Sequence, residues 1–264
     1  MNYAIVTAYT PNYSEGYEAL VRSLKAVMPD VPVFTAGPEI DRADFPYYTD
    51  RQQTGPWLAK GARHKLAGKV AADHDATLVL DADMLVLQDL TMFFDVCAHA
   101  EVLIGASNGS NIYFDNRPYI DKPFYHPKTI SNVPLFVPRK YAYLYAIIHE
   151  LFAKHAAAEF DVTNAVIHKE CLDRLLVLPP QNWTNIHHYM MKADTHIKQE
   201  CGTLTAQGMP VYAMHGKLWN TGYQEGLVTR MDKHLDGFSV LKAKSIARKA
   251  RDIMVAEWNR CRRL

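Results

Sequence analysis

The sequence lacks the features of a membrane-spanning, disulfide-stapled or disordered chain. No apolar run approaches the roughly 20 residues that cross a bilayer. The four cysteines, Cys97, Cys171, Cys201 and Cys261, lie far apart with no CxxC pair, which argues against a structural zinc site and for free thiols in a reducing cytoplasm. Residues 1–20 carry Asn2, Asn12, Ser14, Glu15 and Glu18 where a secretory signal would have a basic start and an apolar block. The expectation is a cytoplasmic protein. Internal repeats and low-complexity linkers are also missing. What is present is ordinary for a soluble globular protein: 48% hydrophobic and 22% charged residues in a chain of 264, enough for a substantial core.

Net charge is only +1, yet it is unevenly spread. From Arg230 to Leu264 ten Lys or Arg face four Asp or Glu, a local +6, and the preceding 229 residues carry 19 against 24, or −5. In that tail Val240, Leu241, Ile246, Ile253, Met254 and Trp258 alternate with Lys242, Lys244, Arg248, Lys249, Arg251, Arg260, Arg262 and Arg263. A helix packed on the domain with a solvated basic face ranks first. Peripheral contact with an anionic membrane ranks second and nucleic acid third. The expected organisation is therefore a domain over residues 1–229 and a basic helical tail over 230–264.

Tyr3 to Ala8 reads as a buried strand, and Ser14 to about Val27 as a helix, with Ser14 as N-cap and Tyr17, Leu20, Val21 and Leu24 at helical spacing. Pro29 closes that helix, and Val31 to Thr35 gives a second strand. Residues 37–56 are polar and turn-rich. Leu58 to Ala72 reads as a helix leading into the strand Thr77 to Leu80. This β-α-β-loop-α-β order predicts a mostly parallel α/β sheet with ligands at the carboxyl ends of its strands. Later strands are expected at 101–106, 133–137, 175–178 and 211–214, and helices at 141–154 and 162–172. Pro179-Pro180 and Gly208-Met209-Pro210 act as breakers.

The most informative stretch is Thr77-Leu78-Val79-Leu80-Asp81-Ala82-Asp83-Met84-Leu85-Val86-Leu87, where two carboxylates interrupt an otherwise apolar run. Ionised carboxylates avoid such surroundings unless they bind metal or pair with cations. The strand is expected to end at Asp81 and to deliver both acids to one edge of the sheet. Two side chains on one face could then grip one hard cation. Two solvated acids at a strand end are the bland alternative.

Four segments occur here in the order seen in retaining glycosyltransferases of family 8, the galactosyltransferase and glycogenin group, which the chain resembles over most of its first 220 residues. They are Ile5-Val6-Thr7-Ala8-Tyr9-Thr10-Pro11-Asn12-Tyr13, Leu78-Val79-Leu80-Asp81-Ala82-Asp83, Ser131-Asn132-Val133-Pro134-Leu135-Phe136, and Val211-Tyr212-Ala213-Met214-His215-Gly216-Lys217-Leu218-Trp219. The resemblance implies a GT-A fold and transfer of a hexose from a nucleotide diphosphate sugar, UDP-glucose or UDP-galactose, to a carbohydrate or glycoconjugate acceptor with retention. It implies Mn²⁺ or Mg²⁺ held by Asp81, Asp83 and His215; an imidazole beside two carboxylates favours Mn²⁺. Ala8, Thr10, Asn12 and Tyr13 would face the nucleoside. Arg63, Asp81 and Lys217 would serve the donor, and Asn132 and Asp161 would lie beside the reacting sugar. The leaving diphosphate would act as base. The chain departs from the family pattern at Thr10, where an acid is common, at Pro134 in place of glycine, at Val162 in place of glutamine, and in the compressed order His215-Gly216-Lys217.

Each residue also has a structural reading. His215 is one of 12 histidines. Tyr13 could be a helix-entry staple, Arg63 could share a solvated helix face with Lys65 and Lys69, and Asp161 could cap a helix that contains Asn164. Two functional alternatives stand beside the transferase: a haloacid dehalogenase-like phosphatase, which also runs a strand into DxD but near its N-terminus, and a non-catalytic carbohydrate-binding protein of the same fold. Acceptor choice would rest on loops such as 108–130, with Tyr113, Phe114, Tyr119, Phe124 and Tyr125 as stacking candidates.

Overall fold

The computed structural model describes residues 1–46, 48, 55–107, 112–114, 124–126, 129–155, 159–179, 183, 197–200, 203–206, 208–232 and 240–264. The chain forms two compact units. The first comprises Met1–Ser14, Asp30–Ala82 and Leu90–Leu178, and the second Glu15–Pro29, Asp83–Asp89 and Pro179–Leu264.

The first unit is built on a six-stranded sheet. Its strands are β1 (Tyr3–Ala8), β2 (Val33–Ala36), β3 (Ala76–Val79), β5 (Leu103–Ser107), β8 (Ile130–Pro138) and β9 (Leu175–Leu178), and their spatial order is β2-β1-β3-β8-β5-β9. β1 runs parallel to β2 and β3, and β5 runs parallel to β9. Only β8 is antiparallel to its neighbours. Ala4, Ile5 and Val6 on β1 are fully buried, as are Leu78 on β3 and Ile104 on β5. Strands covered on both faces read as continuous apolar runs, which is why the sequence announces them so clearly. The expected mostly parallel α/β sheet is the one observed.

Helix α2 (Gly55–Asp73) starts three residues earlier than its apolar pattern suggests, with Pro56 in the first turn, where a missing N–H costs nothing. Helix α3 (Thr91–Ala100) follows the DxD stretch. Helices α4 (Leu144–His155) and α5 (Glu159–Glu170) lie between β8 and β9. Residues Ile112–Phe114 and Phe124–His126 form the antiparallel strands β6 and β7. Tyr119, the remaining stacking candidate, lies outside the described residues.

The second unit contains helix α1 (Ser14–Val27), strand β4 (Met84–Val86) paired antiparallel with β13 (Ala213–His215), and a three-stranded sheet of β10 (Ile197–Glu200), β11 (Thr203–Ala206) and β12 (Met209–Pro210). Two helices, Thr221–Asp232 and Val240–Arg262, complete it. Its core gathers Ala19, Leu85, Leu204, Val211, Met214, Met254, Trp258 and Cys261. The C-terminal helix thus buries Met254, Trp258 and Cys261 while Arg248, Lys249, Arg260, Arg262 and Arg263 stay exposed. Among the described residues, no helix is long and apolar enough to cross a membrane.

Ser14 does not cap α1. The chain first makes a 3-10 turn over Pro11–Tyr13, and the Ser14 hydroxyl donates to the Pro11 carbonyl at 2.8 Å.

Candidate functional site

The DxD segment is a turn between two strands. β3 ends at Val79, the Leu80 N–H still donates to the Val6 carbonyl at 3.0 Å, and the chain then turns at Ala82 and Asp83 before β4 begins. The extended segment expected from sequence is therefore absent. The apolar residues after the motif are explained instead by β4: Met84, Leu85 and Val86 are all buried.

Asp81 meets Arg63 of α2 by an ion pair between its Oδ1 and the guanidinium Nη1. Arg63 is only 2% exposed, so it is not on the solvated face of Lys65 and Lys69. Its Nη2 pairs with Oε1 of Glu159 on α5, itself 2% exposed. His64 Nε2 lies 2.8 Å from the same Oε1, and Lys60 Nζ lies 3.2 Å from Oε2. Burial opposes ionisation of Glu159, but Arg63, His64 and Lys60 together hold its carboxyl well below the ordinary range. Arg63 is raised above its usual value because the two carboxylates outweigh the desolvation of its charge. A buried guanidinium between two acids is a paired charge cluster, fixed in direction by the planar fork.

Asp83 is 9% exposed and meets the other end of the motif's surroundings. His215, the last residue of β13, places Nε2 3.0 Å from Asp83 Oδ1. The β4–β13 ladder fixes this meeting, since Met84 pairs with His215 in register. Burial pushes the Asp83 carboxyl up, but the charge and hydrogen bond of His215, with Lys217 nearby, bring it below its ordinary value. Gly216 makes the tight geometry possible. Its φ is +147°, a Cβ there would come 2.5 Å from the Tyr223 hydroxyl, and its N–H donates to the Asp83 carbonyl at 2.8 Å. The compressed His-Gly-Lys order thus has a backbone reason.

One ligand atom each from Asp81, Asp83 and His215 lies within 4.8 Å of the others. Two carboxylate oxygens and an imidazole nitrogen are a set that could hold a divalent cation, and the donor mix suits Mn²⁺ or Zn²⁺ better than an all-oxygen ion.

The N-terminal candidates sit at the carboxyl end of β1. Ala8 closes the strand and is buried, and Thr10 is buried with its hydroxyl donating to Asn12 Oδ1 at 2.5 Å. Asn12 is exposed and Tyr13 partly so. Asn132 lies on β8, partly exposed, next to buried Val133. Asp161 is in the first turn of α5 and not at its cap, because the helix begins at Glu159. Asn164 on the same helix is fully buried and clamps β8: its Oδ1 accepts from the Ile130 N–H at 3.0 Å, and its Nδ2 donates to the Ile130 carbonyl at 2.9 Å.

Glu159 is the residue that sequence reasoning missed. An acid after three alanines looks like an ordinary first-turn residue complementing the helix dipole. The signal that could have found it is Arg63, flanked by Ala62, Leu66 and Ala67, since a buried guanidinium needs carboxylates.

No family model and no curated protein matches this chain. Solved structures do. An active-site mutant of LgtC is similar at 19% identity, over 91% of this chain and 99% of that one, with a TM-score of 0.55. The galactosyltransferase LgtC in complex with donor and acceptor sugar analogs is similar at 17% identity, with the same coverage and a TM-score of 0.54. A glycosyltransferase involved in glycosylation of the major capsid of PBCV-1 gives 11% identity over 94% and 98% of the two chains, with a TM-score of 0.50. At these identities the likeness is one of fold. The chain has the mixed α/β GT-A fold of these glycosyltransferases.

Proposed function

We propose that the protein is a metal-dependent glycosyltransferase that moves a hexose from a nucleotide diphosphate sugar, UDP-glucose or UDP-galactose, to a carbohydrate or glycoconjugate acceptor with retention. The observation that carries this reading is the convergence of Asp81, Asp83 and His215 in a chain with the GT-A fold. These three residues would hold Mn²⁺ or Mg²⁺, which supplies positive charge to a departing diphosphate. Lys217, close enough to Asp83 to affect its ionisation, would add a second cation for a diphosphate oxygen. Arg63 orients Asp81 and carries a permanent charge beside it. Ala8, Thr10, Asn12 and Tyr13 would form the nucleoside end, at the strand edge where open α/β sheets bind ligands. Asn132 and Asp161 would lie nearer the sugar. The fold gives no support to a haloacid dehalogenase-like phosphatase.

The test is Mn²⁺-dependent UDP binding by wild type and Asp83→Ala, together with hydrolysis of UDP, GDP and CDP sugars. The expected result is binding in the wild type that falls by two orders of magnitude or more in the variant, since each tenfold is about 1.4 kcal/mol, and consumption of a UDP sugar. Unchanged nucleotide binding in Asp83→Ala would sink the metal assignment. If no sugar nucleotide is consumed, the carbohydrate-binding alternative gains.

A further inference from the structure

Glu159 has no part in the roles above, yet through Arg63 it stands directly behind Asp81. Arg63 gives Nη1 to Asp81 Oδ1 and Nη2 to Glu159 Oε1. A guanidinium is planar and rigid, so the acid held on one nitrogen fixes where the other nitrogen points. Glu159 is itself anchored. It opens α5, and on the same helix Asn164 clamps α5 to β8 through two hydrogen bonds with the Ile130 backbone. The direction of the Asp81 carboxylate is thus set from α5, by way of Arg63 on α2.

Charge leads to the same residue. Lys60 and Arg63 bring two positive charges to this cluster, and positive charge without compensation repels a cation held beside it. Glu159 answers both, since its Oε1 pairs with Arg63 and its Oε2 lies 3.2 Å from Lys60 Nζ. Arg63 and Glu159 are buried, so salt and solvent screen their charges little. The partners of a metal-ligating carboxylate set its orientation and its strength as a ligand. An acid that fixes such a partner therefore acts on the metal without touching it.

We propose that Glu159 is a positioning residue for the metal: it holds Arg63 in the orientation that aims Asp81 at the cation, and it cancels part of the guanidinium charge that would repel that cation. The inference rests on the metal reading given above. The test is titration of the full chain with Mn²⁺ alone, followed by electron paramagnetic resonance, in wild type, Glu159→Gln and Glu159→Asp, with urea denaturation showing that each is folded under the titration conditions. Glu159→Gln keeps the shape and loses the charge. It is expected to weaken Mn²⁺ binding about ten- to a hundredfold, the range for groups that support a metal ligand. Glu159→Asp keeps the charge and is expected to bind Mn²⁺ more tightly than Glu159→Gln does. A merely structural role predicts the reverse order, because glutamine fits the buried space better than aspartate. Unchanged affinity in Glu159→Gln, or tighter binding by Glu159→Gln than by Glu159→Asp, would overturn the proposal and leave the metal reading intact. A wild type that binds no Mn²⁺ would overturn both.

Discussion

Asp81 and Asp83 stand two residues apart, yet one is held by a guanidinium and the other by an imidazole. Asp81 shares Arg63 with Glu159 inside a buried cluster in which every charge has a partner. Asp83 contacts His215 at the end of a short strand pair, where the histidine is still partly exposed. The guanidinium cannot give up its proton and does not bind cations, whereas a neutral imidazole is a metal ligand. The difference teaches that one apolar-flanked acid pair can serve two ends at once. Asp81 is tied into the architecture of the first unit, and Asp83 keeps a partner that a cation could share.

Removing Arg63 should break that asymmetry most severely. Arg63→Ala leaves Asp81 and the buried Glu159 uncompensated, and loss of one partner from a buried ionic cluster costs about 3–5 kcal/mol. Urea denaturation at pH 7 measures it. A loss below about 1 kcal/mol would show that water reaches the cluster and that Asp81 is no more anchored than Asp83.

Glu159→Gln keeps the shape and removes the charge, and about 2 kcal/mol should be lost, the worth of hydrogen bonds to a charged group. Its pH dependence carries the sharper information. The folded-state carboxyl lies well below its ordinary value, so its contribution is fully present above the unfolded value near 4.3 and is lost as pH falls through the depressed folded value. The gap in stability between wild type and Glu159→Gln should therefore be constant from pH 8 to 6 and should shrink in acid below about pH 4. A gap that widens in acid contradicts the assignment.

On the Asp83 side, Gly216→Ala combines an unfavourable φ with a Cβ 2.5 Å from the Tyr223 hydroxyl, at a cost of about 1–3 kcal/mol. The loss should be larger than for Gly208→Ala, because Gly208 also has positive φ, +74°, but open space around it. Equal losses would mean that Tyr223 yields freely and that the turn after His215 is not tightly held.

The same contrast marks what the sequence could tell. Buried parallel strands such as Tyr3–Ala8 and the helix Ser14–Val27 write their environment into unbroken or 3.6-periodic apolar patterns, and both were legible, although the cap of the helix was not. The pairing of Asp83 with His215 was legible only as a resemblance, because 132 residues separate them. Strand β12 was not legible. Met209–Pro210 looks like a breaker, yet it pairs with Thr205 and Ala206 at the edge of a small sheet, where proline is tolerated. Glu159 was invisible because its role depends on Arg63, 96 residues away, and no local pattern encodes such a distance.

The smallest effect tests how far the buried cluster extends. Lys60 also reaches Glu159, at 3.2 Å, but its side chain is 41% exposed. Solvent screens such a charge, and ordering a long side chain offsets part of its attraction, so exposed ion pairs contribute about 0.2–1 kcal/mol. Lys60→Gln should therefore cost about 0.5 kcal/mol at low salt and less at 1 M salt, where the screening length falls to about 3 Å. The loss for Arg63→Ala should be nearly independent of salt. If Lys60→Gln costs as much as Arg63→Ala, then Glu159 is held by a diffuse positive field, and the distinction between a locked Asp81 and an exchangeable Asp83 would have to be drawn at the lysine instead of the arginine.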